Sequence, residues 1–290
     1  MIIHLRKRQL ISAFLGMVFV LAAFVSSAAF GAKESNVIQR TLPVVMYHHV
    51  VEDSEGLGKY VISAQEFTED LELIESMGYT TVDVEDIINF VRYGEILPDK
   101  IIMLTFDDGF ESVYATVEPV LREKNMCCSA AVIGTVAQLY SEIDDHNLAY
   151  SYMNWTEIAA LAQGKTVEIQ NHTYDLHHNE TGERKGMGRL SGESEGAYIN
   201  TLKNDLVKCQ NQLTSVCGFA PKAIMYPYGI YNSITRRLIK EIGFEVSFLC
   251  EERINTLTQG NAECLYDLGR YNRPSGVSSE EFFRNILMTR

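Results

Sequence analysis

The sequence predicts an α/β protein built as a (β/α) barrel. Two observations carry this. Short apolar runs alternate with amphipathic helical patterns along most of the chain, which is the signature of strands joined by helical crossovers. About seven such alternations occur, enough to close a parallel sheet on itself rather than leave it open. The composition agrees, with 46% hydrophobic and 22% charged residues among 290, an ordinary globular balance with ample material for a core.

The first segment stands apart. Arg6, Lys7 and Arg8 precede an uncharged, mainly apolar run over residues 9–32, the pattern of an export signal. The run is also long enough, at about 20 residues, to span a bilayer as an uncleaved anchor. Residues 1–32 are therefore expected to be a signal peptide or membrane anchor, 33–42 a linker and 43–290 the functional domain. This places the body outside the cytoplasmic membrane, secreted or anchored, with membrane contact only through the N-terminal segment.

Within the body, residues 43–50 (PVVMYHHV) read as a buried strand. Residues 63–78 read as a helix: Ser63 caps it, Glu66 completes a capping box, and Phe67, Leu71 and Ile74 form an apolar stripe. Helices are also predicted over 84–92, 113–124, 155–163, 195–213, 233–242 and 278–289, with Gly243 ending the fifth of these. Strands are predicted over 100–106, 129–132, 166–170, 222–226, 245–249 and 265–270. Residues 178–196 hold five glycines among charged residues and almost no apolar ones, so they read as a long exposed loop on the substrate side.

Charge excludes some functions. With 25 basic and 38 acidic side chains the formal charge is −13, and the body has no basic cluster for phosphate. No nucleic-acid partner is expected, and the body is expected to act as a monomer. Six cysteines fit an oxidising compartment. Cys127 and Cys128 should point to opposite faces of a strand, and Cys250 and Cys264 are the best-placed pair for a disulfide.

Three stretches at strand ends carry chemistry. In Thr105-Phe106-Asp107-Asp108-Gly109 two adjacent carboxylates leave a buried strand, which is costly unless a cation compensates. A helix cap would need only one of them. Asn171-His172-Thr173-Tyr174-Asp175-Leu176-His177-His178 places three histidines near one strand end. Two imidazoles with one carboxylate suit Zn²⁺. Met225-Tyr226-Pro227-Tyr228-Gly229 is a rigid aromatic turn of the kind that walls a sugar site and offers a backbone N–H to an oxyanion.

In order and interval these three motifs resemble the polysaccharide deacetylase family, the NodB-like group also called carbohydrate esterase family 4. The resemblance covers residues 43–290. It implies a distorted (β/α) barrel and a metal-dependent N-deacetylase acting on N-acetylglucosamine units of an extracellular or cell-wall polysaccharide. By position it makes Asp107 the general base and Asp108 and His172 metal ligands. The family's second histidine falls at Leu176. The longer spacing of the poly-N-acetylglucosamine deacetylase branch makes His177 the third ligand instead, with His178 as the fallback. Zn²⁺ is the expected cofactor, with Co²⁺ or Ni²⁺ as substitutes.

The sequence departs from the family pattern twice. Met225 stands where the family has the arginine that partners the catalytic aspartate, and Leu268-Gly269-Arg270 replaces the late histidine element. The same branch draws its general acid from the first strand, which makes His48 the candidate. His49 faces the other way along the strand and is expected to tolerate replacement. Tyr226, Pro227, Tyr228 and Arg270 are candidates for substrate or oxyanion contact, and Arg270 could instead anchor a carboxylate. Two other functions stay open: a catalytically weak carbohydrate-binding relative, and a metal-independent glycoside hydrolase.

Overall fold

The computed structural model describes residues 37–52, 56–180 and 184–287. The N-terminal segment expected to direct export lies outside the described residues. Among the described residues no helix is long and apolar enough to cross a membrane.

Twelve strands occur among the described residues: β1 (Gln39–Leu42), β2 (Val44–Tyr47), β3 (His49–Val51), β4 (Val61–Ser63), β5 (Thr80–Thr81), β6 (Ile101–Phe106), β7 (Cys128–Val132), β8 (Val167–Asn171), β9 (Ala223–Met225), β10 (Val246–Phe248), β11 (Asn255–Thr258) and β12 (Tyr271–Asn272). The main sheet runs β10-β9-β8-β7-β6-β2-β12, with β5 added beside β6, and every one of its pairings is parallel. The sheet curls until its ends nearly meet. Leu268, just upstream of β12, forms a parallel bridge to Phe248 of β10, while β12 itself pairs with β2. This is the parallel barrel that the alternation predicts, distorted as the family resemblance implies.

Alternation along the strands sorts the core. Val45, Tyr47, Leu104, Phe106, Ala130 and Ile169 face outward into one cluster with helical residues such as Phe67, Leu71 and Ile74. Val44, Met103, Ala131, Ala223, Met225, Val246 and Phe248 form a second cluster inside the curl. The interior is therefore filled with side chains up to the strand C-termini, and chemistry is confined to that end.

Local signals placed the helices where predicted. The helix Ala64–Ser76 begins with the Ser63–Glu66 capping box. The helix Ser233–Ile242 is capped by Asn232 and stopped by Gly243 in the left-handed region. The helix Glu195–Cys217 runs past its predicted end to Gly218.

Three expectations change. Residues Gln39–Leu42, assigned to the linker, form β1 and pair antiparallel with β11, so the body begins earlier, with Leu42 and Leu257 buried in the interior cluster. Cys250 and Cys264 do not bond, and all six cysteines are free thiols. Cys264 Sγ sits against Thr258 while Cys250 faces the buried Arg270. The segment over 178–196, of which residues 181–183 lie outside the described residues, is not wholly exposed. Met187 is fully buried, and its carbonyl accepts a 2.5 Å hydrogen bond from the Tyr198 hydroxyl.

Candidate active site

A cavity of about 660 Å³ opens at the C-terminal end of the strands, and His48, Asp107, Asp108, His172, His177 and Tyr228 all line it. Strand periodicity explains most of this. Met46 and His48 share the inward face of the first strand run. Asp107 follows Thr105 on the inward face of β6, and His172 follows Gln170 on that of β8.

Asp108 needs a different explanation, because alternation would send it outward. Its backbone is left-handed, with φ 71°, which swings the side chain back toward the cavity. Thr173 and Tyr228, in the loops after His172 and β9, are left-handed too, with φ 72° and 58°. Non-glycine residues hold this conformation only where surrounding structure enforces it.

Asp108 Oδ1 lies 3.3 Å from Nε2 of His172 and 3.3 Å from Nε2 of His177. Each imidazole is oriented from behind. His172 Nδ1 is 2.8 Å from the carbonyl oxygen of Met225, and His177 Nδ1 is 3.2 Å from the Tyr228 hydroxyl. His178 instead turns to Asp175, with Nε2 3.4 Å from Oδ1.

The three side chains fit a divalent cation. Asp108 Oδ1 is buried and, among the described residues, meets no donor in hydrogen-bonding geometry, while two imidazole nitrogens point at it. One carboxylate and two imidazoles suit Zn²⁺, and also Co²⁺ or Ni²⁺.

Beside this triad, Asp107 receives both arms of a guanidinium. Arg270 Nη1 and Nη2 lie 2.6 and 2.7 Å from its Oδ1 and Oδ2. Arg270 is itself held by the Leu249 carbonyl at 2.8 Å and the Thr105 hydroxyl at 3.2 Å. Arg270 thus fills the role left open by Met225, reaching the aspartate from the closing strand. It is completely buried, so of its two expected roles the carboxylate anchor is the one seen, not a substrate contact.

The charges are interdependent. Burial opposes ionisation of Asp107, but Arg270, helped by His172, prevails and holds it below the ordinary carboxylate range. Burial opposes ionisation of Asp108 as well, and His172 and His177 overcome it. His177 is pushed down to about 4, chiefly by burial and then by His172. Burial also works against the charged form of His172, yet Asp107 and Asp108 raise it.

His48 packs against Tyr60 with the rings tilted and their centroids 4.6 Å apart, and its Nδ1 is buried without a hydrogen-bond partner among the described residues. Burial lowers its pKa, against the pull of Asp107 and Asp108. His49 turns away as predicted, but it is not idle. It is buried, its Nδ1 and Nε2 lie 2.9 and 3.1 Å from Ser112 Oγ and the Ala149 carbonyl, and it stacks on Phe110 at 4.3 Å.

The aromatic turn divides. Tyr228 lines the cavity, whereas Tyr226 packs in a core cluster against Tyr231 and Pro227 is buried. Neither Tyr226 nor Pro227 walls the site. Lys59, Tyr60, Lys185, Cys250 and Glu252 also line the cavity. Lys185 belongs to the loop expected on the substrate side, whereas nothing in the sequence placed Lys59, Tyr60, Cys250 or Glu252 at the site.

The fold and this side-chain set define a parallel-barrel protein with a one-carboxylate, two-imidazole cation site beside a buried Asp–Arg pair. The profile of the polysaccharide deacetylase family matches residues 94–247, more than half of the chain. The chain belongs to that family. It is 25% identical over 262 residues to the poly-β-1,6-N-acetyl-D-glucosamine N-deacetylase of Escherichia coli (strain K12). That match takes in 84% of this chain and 38% of the relative, so the chain spans well under half of that protein's length. A Staphylococcus aureus (strain MSSA476) relative of the same name is 25% identical over 235 residues, 81% of this chain and 73% of that one. In fold, the de-N-acetylase of Aggregatibacter actinomycetemcomitans superposes with a TM-score of 0.70 at 24% identity, covering 85% of this chain and all of that one.

Proposed function

We propose that the chain is a divalent-cation-dependent N-deacetylase that hydrolyses acetamido groups on N-acetylglucosamine units of an extracytoplasmic polysaccharide, poly-β-1,6-N-acetylglucosamine foremost. The observation that carries this is the juxtaposition of the Asp108–His172–His177 triad with an ionised, Arg-anchored Asp107 in one cavity. The names of the two relatives support the choice of glycan.

Asp108, His172 and His177 would hold the cation. When bound, such an ion polarises an amide carbonyl and lowers the pKa of water toward about 7. Asp107 takes the proton of the attacking water as its oxygen bonds to the amide carbon. Arg270 keeps that carboxylate ionised and aimed without touching substrate. The backbone N–H of Tyr228 donates to the developing oxyanion. His48 delivers a proton to the amine nitrogen as the C–N bond breaks, and acetate and a glucosamine unit leave.

A glycoside hydrolase needs one carboxyl that stays protonated near neutrality. Asp107 and Asp108 are both held below the ordinary carboxylate range, which disfavours that alternative. A purely binding relative is disfavoured by Arg270, which restores the partner of the base.

The test measures acetate and free amine from β-1,6- and β-1,4-linked N-acetylglucosamine oligomers, using the full chain. Equal release of both, abolished by chelation and restored by Zn²⁺, Co²⁺ or Ni²⁺, is the expected result. Silence on every oligomer with the cation verified in place would reject the proposal.

A further inference from the structure

A second group of ligating side chains lies behind the wall of the cavity. Glu111, His146 and Glu157 bring one ligand atom each to within 4.8 Å of one another. They come from three separate segments: the loop after Asp108, the stretch after the helix Gly134–Ile143, and the helix Trp155–Ala162. Glu111 and Glu157 are both buried, at 4% and 8% exposure.

The histidine of this group is held among three carboxylates. His146 Nδ1 is 2.7 Å from Glu111 Oε1 and 3.5 Å from Glu157 Oε1, while its Nε2 is 3.2 Å from Asp144 Oδ1. Without a cation Nδ1 donates to Glu111 Oε1; a cation would displace that proton, and the Asp144 carboxylate behind Nε2 would then hold the tautomer whose Nδ1 ligates. Glu157 spends its other oxygen on the helix cap, accepting from the Asn154 N–H at 2.9 Å. Glu111 Oε2 is buried and has no hydrogen-bond partner among the described residues.

Glu111 and Asp144 favour the charged form of His146, which offsets one of the two buried carboxylates and leaves the other for a shared proton or cation. Two buried carboxylates face each other, and among the described residues the only ion pairs that reach them come from His146. Burial first, and then the neighbouring Glu111 among other groups, raises the pKa of Glu157. Buried like charges of this kind are tolerated when a proton or a metal is shared between them.

We propose that Glu111, Glu157 and His146 Nδ1, backed by Asp144, form a second divalent-cation site, distinct from the Asp108–His172–His177 triad. Two carboxylates and one imidazole select a first-row transition cation such as Mn²⁺ or Zn²⁺ over Ca²⁺ or Mg²⁺, which prefer all-oxygen cages. The ion would tie the loop that carries Asp108 to the segment 144–153. The Glu111 N–H already donates to the Ser151 carbonyl at 2.8 Å. Phe110, which lines the cavity, is stacked between His49 and Tyr152 at 4.3 Å on each side. The second ion is therefore a structural clamp on the cavity wall.

The test counts metal on the full chain, stripped with chelator and titrated with Zn²⁺ and separately with Mn²⁺. His146→Gln, at the exposed member of the group, and Glu157→Gln, which keeps the cap acceptor, are compared with the unaltered chain. Each is expected to lose one equivalent of bound cation, and the rise in melting temperature on adding Mn²⁺ is expected to shrink. The same one-equivalent loss should appear when Asp108→Asn already removes the first site. Variants that bind as many equivalents as the unaltered chain would overturn the second site. Acetate release with the first site loaded reports separately on the deacetylase proposal.

Discussion

The guanidinium of Arg270 grips both oxygens of Asp107, at 2.6 and 2.7 Å, with both residues buried. The two are far apart in the chain, and it is closure of the barrel that joins them. Leu268 pairs with β10 and Tyr271–Asn272 with β2, so residue 270, two places after the inward Leu268, also points inside.

On the proposed mechanism this pair sets the acid limb of activity. Asp107 acts as a base only when ionised, and Arg270 keeps its pKa below the ordinary range despite burial. With Arg270→Met the opposing burial dominates, the pKa rises, and the ionised base disappears at a higher pH. The acid limb of kcat/KM should move upward, and the melting temperature should fall by the equivalent of about 3–5 kcal/mol, the usual cost of leaving one buried charge unpaired. An unmoved acid limb would separate Arg270 from the base.

His48 and His49 should fail in different ways. His48→Ala should lower kcat by about 10²–10⁴-fold with little loss of stability, the usual contribution of a positioned acid. Because burial lowers the pKa of His48 and the acid must be protonated, the alkaline limb in the unaltered chain should lie below the ordinary value of about 6.5. His49→Ala should cost about 2 kcal/mol or more by stranding Ser112 and the Ala149 carbonyl in the interior, while the folded fraction keeps its turnover. The expected tolerance of His49 thus holds for chemistry and not for folding, which melting curves beside kcat will separate.

Tyr228→Phe removes the hydroxyl behind His177 Nδ1. Loss of such an outer partner typically weakens metal affinity about 10–100-fold. Zn²⁺ titration against a competing chelator should show that loss, and excess Zn²⁺ should recover much of the activity. No change in affinity would mean that the 3.2 Å contact does not orient the ring.

Asp70 and Arg273 clamp the closing strand to the helix Ala64–Ser76. Arg273 Nε and Nη2 lie 2.8 and 3.0 Å from Asp70 Oδ2 and Oδ1, and both side chains are fully buried. Asp70→Ala should destabilise by about 3–5 kcal/mol. The loss should also reach the site, because residue 270 rides on the same segment. Thermal unfolding and activity measured well below the melting temperature will check both.

What could be read in the sequence was local. Ser63 with Glu66, and Gly243 after Ile242, state helix ends within a few residues, and the structure bears them out. The adjacent aspartates and the histidine run mark their strand ends in the same way. The helix Gly134–Ile143 was missed because it opens without a side-chain cap. The strand β1 was missed because its polar residues acquire meaning only beside β11. Arg270 sits in an unremarkable Leu-Gly-Arg, and its partner is defined by a register formed on closure. The left-handed turn at Asp108 overrides strand alternation, which no period-two pattern can report.

The most direct test of Asp107 as the base compares the unaltered chain with Asp107→Asn at equal, verified metal content. Acetate release from an N-acetylglucosamine oligomer is followed in a single turnover. The predicted result is full cation occupancy in both, with release in the variant slowed at least about 100-fold. Release at the unaltered rate from metal-loaded Asp107→Asn would contradict the assignment.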